Sequence, residues 1–343
     1  MIWKHALAAG VAAATLFGSS AIAVSNEPER LGGSDRYATS VEISKATFPT
    51  TSSLVFLASG ETYADALVAG AAAGSKNAPV LLTREKEIPA VVRAELTRLE
   101  PATIVIVGGR AAVSPAVAED AKEWGVVERW SGANRYATAK RVAQELFSDT
   151  ATKAVLASGE DFPDALAGGV STSVLDGPLL LTKSSDLAAE TIDYLKGLNG
   201  LTEIVILGGK GAVSDKAAAA AGTFAKTTRR AGANRFATSV QISGLLFPGQ
   251  AQMVVLANGN DFPDALSGTP LAAAERGPVL LVRPTSMPAE VCTEIQRLSP
   301  GKVFALGGKS AVSDAVVEAA KKCATPKSEP DPSITAGPAA GSN

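Results

Sequence analysis

The 343-residue chain sets 32 Lys and Arg against 34 Asp and Glu, a formal net charge of −2, with both signs interspersed. No basic stripe of the kind that holds nucleic acid is visible, so nucleic acid is not an expected partner. The single histidine, His5, lies in a segment expected to be removed. Histidine triads, histidine general bases and histidine-ligated zinc are thereby excluded from the mature chain, and no cofactor is expected.

Residues 1–23 read as a secretory signal. Lys4 and His5 supply a positive start, Ala6 to Phe17 an apolar run too short to span a bilayer, and Ala21-Ile22-Ala23 a small-x-small cleavage pattern. The mature chain is expected to begin near Val24, secreted, with no lipid-anchor cysteine after the cleavage point and no membrane insertion.

Next come Gly32-Gly33-Ser34, a turn and helix cap, and a helix with Tyr37, Val41 and Phe48 on one face. Leu54 to Ala58 is a short apolar strand ending in Ser59-Gly60. A small-residue helix follows from about Ala64 to Ala73, then a second strand from Pro79 to Thr83 and an amphipathic helix from Pro89 to Leu99. The third strand, Thr103 to Val107, runs into Gly108-Gly109. A last helix starts at Ser114-Pro115, a serine cap with proline at the first helical position. Val126 to Trp130 is a further short strand, free to pair on either side.

The same order then recurs twice. RLGGSDRYATSVEIS at Arg30 is matched by RWSGANRYATAKRVA at Arg129 and RAGANRFATSVQIS at Arg230, and the later blocks keep the interval. Apolar strands separated by helices of ten to fifteen residues indicate a parallel sheet buried on both faces. The expected class is α/β, as three tandem Rossmann-like parallel-sheet domains over residues 24–128, 129–228 and 229–323. Residues 324–343, rich in Pro, Ser, Ala and Gly, read as a disordered tail. Cys292 and Cys323 have no counterparts in the first two copies. In an exported chain they are expected to form a disulfide, closing a loop worth about 3 kcal/mol in the chain-entropy model, the alternative being two buried thiols.

Ligands of open α/β sheets bind outside the carboxyl ends of the strands. The turns Gly108-Gly109-Arg110, Gly208-Gly209-Lys210 and Gly307-Gly308-Lys309 lie at that edge, offering backbone N–H groups and a cation to an anion. A plain tight turn with a solvated cation explains them equally well. They are not G-x-G-x-x-G, and no Walker lysine follows. Asp65, Asp164 and Asp264 recur in GETYADAL, GEDFPDAL and GNDFPDAL. The latter two follow a proline in what reads as a first helical turn, where a carboxylate caps free N–H groups or meets a ligand. Arg36, Arg135 and Arg235 either pair with these aspartates or hold an acidic polymer. The sequence leaves both open.

DRYAT, the DAL block, the P-V/L-L-L strand and GG-x-x-A-V-S together resemble the cell wall binding repeat type 2 family of Gram-positive surface proteins, over about residues 29–323. The resemblance implies three repeats around a pseudo-threefold axis and non-covalent attachment to an anionic wall polysaccharide. That family ties attachment to a Pro-Ile-Leu-Leu strand, matched by Pro79 to Leu82, Pro178 to Leu181 and Pro278 to Leu281 with Val or Leu second. Such a strand reads as buried scaffold here. No segment outside signal, repeats and tail is long enough to fold alone. The leading reading is thus a wall-associated binding module without catalysis. Its rivals are a glycan hydrolase using Glu160 with Asp164 and a scaffolding envelope protein. Copy one departs from the others at Ser34-Asp35 and Thr62-Tyr63-Ala64, so the copies are expected to be unequal as sites.

Overall fold

The computed structural model describes residues 29–325 except residue 148. The signal segment, and the tail from residue 326 on, lie outside the described residues. The chain runs β1 (Glu29–Leu31), α1 (Arg36–Thr47), β2 (Leu54–Ser59), α2 (Ala64–Lys76), β3 (Val80–Thr83), α3 (Ala90–Leu99), β4 (Thr103–Val107), α4 (Pro115–Ala121) and β5 (Val126–Trp130). The second copy continues as α5 (Arg135–Phe147), β6 (Lys153–Ser158), α6 (Pro163–Gly168), α7 (Ser171–Leu175), β7 (Leu179–Thr182), α8 (Ala189–Lys196), β8 (Glu203–Leu207), α9 (Asp215–Ala221) and β9 (Lys226–Arg230). The third comprises α10 (Arg235–Leu246), β10 (Met253–Asn258), α11 (Gly268–Ala274), β11 (Val279–Val282), α12 (Ala289–Leu298), β12 (Lys302–Leu306) and α13 (Asp314–Ala324).

Three four-stranded sheets result, ordered β3-β2-β4-β5, β7-β6-β8-β9 and β11-β10-β12-β1. Every strand pair is parallel. The apolar runs of β2, β3, β4 and their counterparts are buried, as in Val55 to Ala58 and Leu81-Leu82, and so lack the alternation of a one-sided sheet, whereas β5 and β9 at the sheet edges are partly exposed. The strand left open by the sequence settles on β4, with Thr103 opposite Val126 and Val107 opposite Trp130. Each copy's sheet is therefore finished by the strand that leads into the next copy. Among the described residues no further strand follows the third copy, and β1 takes that place from the start of the described chain, Glu29 opposite Phe304 and Leu31 opposite Leu306. The array closes into a ring.

Ring closure is repeated in the helices. α2 packs on α5, α6 on α10 and α11 on α1, and α2 also meets α11 and α7. Small side chains permit the close approach, since interaxial distance follows the residues at the contact. Gly70 and Gly169 face Thr269, whose side chain lies 3.3 and 2.6 Å from where a Cβ on each glycine would stand. On the same pseudo-threefold axis Tyr63, Phe162 and Phe262 form a triangle, with ring centroids 5.5 to 6.2 Å apart.

The second helix of each copy differs. It is continuous in α2, broken between α6 and α7 at Gly168-Gly169, and delayed to Gly268 in the third copy. Pro270, with no N–H to continue a helix from upstream, sits in the first turn of α11. Asp264 thus lies in a turn ahead of the helix and not in its first turn, whereas Asp164 holds the expected place after Pro163. The cap of α1 is Asp35, which accepts from the Ala38 N–H at 2.8 Å, and not the expected Ser34. Cys292 and Cys323 form a disulfide between α12 and α13, Cα atoms 5.4 Å apart.

Candidate functional site at the joints between copies

The tight turns after β4, β8 and β12 place three equivalent constellations at the carboxyl edges of the sheets, each completed by the following copy. Gly108, Gly208 and Gly307 have φ of +121°, +93° and +89°, a region side-chain-bearing residues rarely adopt. The carboxylate of the same copy's aspartate crowds each one. Asp65 Oδ2 stands 2.7 Å from the position of a Cβ on Gly108, and Asp264 Oδ2 2.5 Å from that on Gly307. The first glycine is needed so that the aspartate can lie over the turn. Gly109, Gly209 and Gly308 face open space.

Each aspartate also looks across to the next copy. The Thr138 hydroxyl faces Asp65 and that of Thr39 faces Asp264, each favouring the ionised carboxylate, so the third copy reaches back to the first. These hydroxyls also accept from Gly132 and Gly33 N–H groups, at 3.2 and 3.0 Å. Burial raises the Asp65 carboxyl above its ordinary range, opposed by Thr138 and the Arg135 charge. Asp264 is raised by burial, with Thr39 and Arg36 opposing and Asp261 and Asp35 adding to it. Asp164 is pushed up to about 6 by burial and Asp161, with Arg235 opposing.

Among the described residues none of Arg36, Arg135 and Arg235 forms an ion pair with Asp65, Asp164 or Asp264; each instead fastens a backbone turn. Arg36 and Arg135 donate to the carbonyls of Gly60 and Gly159, and Arg235 donates to Gly259 O at 2.6 Å. Each fastens the turn after the first central strand of its own copy, while its charge faces the preceding copy's aspartate. Arg135 also donates to the Tyr63 hydroxyl at 3.1 Å and lies over that ring, as Arg235 lies over Phe162. The cations of the glycine turns diverge. Lys210 pairs with Asp215 at 2.7 Å and Lys309 with Asp314 at 2.6 Å, whereas Arg110 is exposed at a position whose carboxylate counterpart is Pro115.

Between the first two copies the edge opens into a cleft of about 530 Å³, lined by Tyr63, Asp65, Gly109, Asn134, Arg135 and Phe262 among others. At the third copy a recess of about 200 Å³ is lined by Asp261, Asp264 and Ser310. Three elements escaped the sequence reading. The threonine of DRYAT is the residue that faces the preceding copy's aspartate. The aromatic before the DAL block is an axis residue. Arg30, Arg129 and Arg229 donate to the carbonyls of Gly307, Gly108 and Gly208 at 3.0, 2.7 and 2.7 Å, so the third block is headed in space by Arg229, not Arg230. Their threefold recurrence was the available signal.

A ring of doubly wound α/β copies, with its polar turns gathered at the joints, defines a tandem-repeat binding module. Residues 30–118, 129–218 and 229–317 each match cell wall binding domain 2 (CWB2), and the chain belongs to that family. It is 31% identical over 307 residues to the N-acetylmuramoyl-L-alanine amidase LytC of Bacillus subtilis (strain 168), covering 89% of this chain and 60% of that protein. The amidase enhancer of the same organism is 28% identical over 261 residues, 76% of this chain and 35% of its own length. Among solved structures, Cwp6 from Clostridium difficile superposes with a TM-score of 0.82 at 27% identity, covering 88% of this chain and 48% of that one. Cwp8 from the same organism gives 0.78 at 27% identity, covering 87% and 52%. The chain thus spans less than two thirds of the length of each of these proteins. Among the described residues no helix is long and apolar enough to cross a membrane.

Proposed function

We propose that this protein is a secreted, non-catalytic module that holds an anionic polysaccharide of a Gram-positive cell wall through the joints at the carboxyl edges of its sheets. Family membership establishes the cell-wall association. The observation that carries the finer reading is the triple recurrence of one constellation, in which a glycine turn, an aspartate and the next copy's arginine meet at each joint. A repetitive polymer engages repeated modest sites, and linked sites raise the net affinity through effective concentration. A single catalytic cleft has no use for three such sites. The carboxylates of the hydrolase reading are occupied structurally. Glu160 accepts from the Ser184 N–H at 3.0 Å, and Asp164 lies over Gly208. The buried strands β3, β7 and β11 act as scaffold beneath these turns.

The test is co-sedimentation of the purified chain with Gram-positive walls, before and after chemical removal of the secondary polymers. Binding that survives their removal, or no binding, refutes the proposal. Release of reducing ends from wall glycan would instead establish the hydrolase reading.

A further inference from the structure

Each joint brings two cations to one edge, the residue after the glycine pair and the arginine that opens the next copy's first helix. At the joint between copies two and three both are neutralised from within. Lys210 pairs with Asp215 at 2.7 Å, and Arg235 with Asp161 at 3.6 Å. At the joint that closes the ring, Lys309 pairs with Asp314 at 2.6 Å, and Asp261 and Asp35 add negative charge around Asp264. Copy one lacks both internal counter-ions. Pro115 stands where the sister copies have Asp215 and Asp314, and Thr62 where they have Asp161 and Asp261. Among the described residues neither Arg110 nor Arg135 makes an ion pair. Arg135 is exposed, whereas Arg36 and Arg235 are half-buried. Arg110 stands close enough to Arg129 to depress its pKa, behind the larger effect of burial.

Two carboxylates do lie at this edge. Glu61 is turned onto the Glu85 N–H at 3.3 Å, and Asp65 lies over Gly108 and faces Thr138. Arg135 lines the cleft of about 530 Å³, whose wall also includes Gly109 and Ala111, the chain neighbours of exposed Arg110, with Tyr63, Phe262 and Ala112 as further apolar surface. Thr62 lines this cleft and Pro115 leaves Arg110 without the partner its sister cations have, so both differences leave positive charge at this joint for an outside anion to satisfy. Guanidinium groups are well suited to phosphate and carboxylate.

We infer that the joint between copies one and two is the principal ligand seat of the module, taking a sugar unit that bears a phosphodiester or a carboxylate, the anion held by Arg110 and Arg135. The inference rests on the wall-polymer reading above and names the site within it that dominates. The other two joints, their cations partly neutralised from within, are weaker sites that add avidity to this seat.

The experiment measures wall co-sedimentation of the full chain, competed by a soluble phosphodiester polymer in one arm and a soluble polyuronate in the other. Grafting the sister carboxylates onto copy one, as Thr62→Asp with Pro115→Asp, is expected to weaken wall binding about tenfold. Both positions are exposed, and both residues are those the other copies use. Arg110→Ala, a truncation at the surface, is expected to cost at least about threefold more affinity than Lys210→Ala. The competing arm identifies which anion the seat accepts. Graft binding within twofold of the parent chain, equal losses at Arg110 and Lys210, or competition by neither polymer overturns the assignment while leaving wall binding intact. Failure of the parent chain to bind walls overturns the functional reading together with it.

Discussion

Thr39, in the first copy, presents its hydroxyl to the carboxylate of Asp264, in the third, and favours the ionised form of that carboxylate across the joint that closes the array. The same hydroxyl accepts from the Gly33 N–H at 3.0 Å, which aligns the turn between β1 and α1. Thr39 is fully buried. Thr39→Val keeps the shape and deprives the half-buried Gly33 N–H and Asp264 carboxylate of a polar partner, so a loss of about 1–2 kcal/mol is expected, with Thr39→Ser restoring most of it. Denaturant midpoints of the three proteins provide the comparison. A Val variant as stable as the parent would show that β1 pairing alone closes the ring.

The axis gives a sharper steric test. A Cβ on Gly169 would lie 2.6 Å from Thr269 Oγ1 and 2.9 Å from its Cγ2, and Thr269 is itself buried. Gly169→Ala is expected to cost about 1–3 kcal/mol by overpacking. Adding Thr269→Ala removes the obstructing atoms, so the double variant should be more stable than Gly169→Ala alone, a non-additive result expected of contacting residues. Simple additivity in thermal melts would show that the helices part at the axis to accommodate the methyl group.

What was legible in the sequence followed from local chemistry repeated in triplicate. Apolar runs such as Leu54 to Ala58 and Thr103 to Val107 give the strands, and Ser114-Pro115 gives the start of α4, because both signals depend on neighbours in the chain. The partner of Val126 to Trp130 was not legible, since an edge strand of five residues carries no mark of which sheet it joins. Nor was the role of Glu29 to Leu31, whose pairing with β12 spans nearly the whole described chain. At the joints, motif residues were recognisable but their partners were not. Asp65 and Thr138 belong to different motifs of different copies, and only the ring brings them together. The inequality of the copies was visible at Thr62. Its consequence needed the ion pair that Asp161 makes with Arg235.

Asp164 links the site to pH. Its carboxyl is pushed up to about 6 from an ordinary 3.8 by burial and Asp161, against the pull of Arg235. Between those values the folded chain keeps a proton that the unfolded chain has released. Stability from this group is therefore present below about pH 4, falls as pH rises towards 6, and stays lower above. Asp164→Asn never ionises. It should match the parent at pH 4 and exceed it by about 2 kcal/mol at pH 7.5, the full shift being discounted for partial exposure. Urea titrations at the two pH values decide the point, and a variant less stable at pH 7.5 would mean that the ionised carboxylate is a favourable partner of the joint.

The disulfide acts beside the closure of the ring. Cys323 lies on α13, the last described helix, and is joined to Cys292 on α12 across a sequence separation of 31. In the chain-entropy model such a loop contributes about 3–4 kcal/mol. The effect should not stop at α13, because Asp314 at its start pairs with Arg30 of β1 at 3.0 Å, and Arg30 in turn donates to Gly307 O at 3.0 Å. Loosening α13 thus removes support from the strand that completes the third sheet. Cys323→Ser is expected to speed hydrogen exchange in α13, β12 and β1 by at least about tenfold, while β2, β4, β6 and β8 keep their protection. Uniform acceleration through all three sheets would mean instead that the ring opens only as one cooperative unit, with the disulfide stabilising every copy alike.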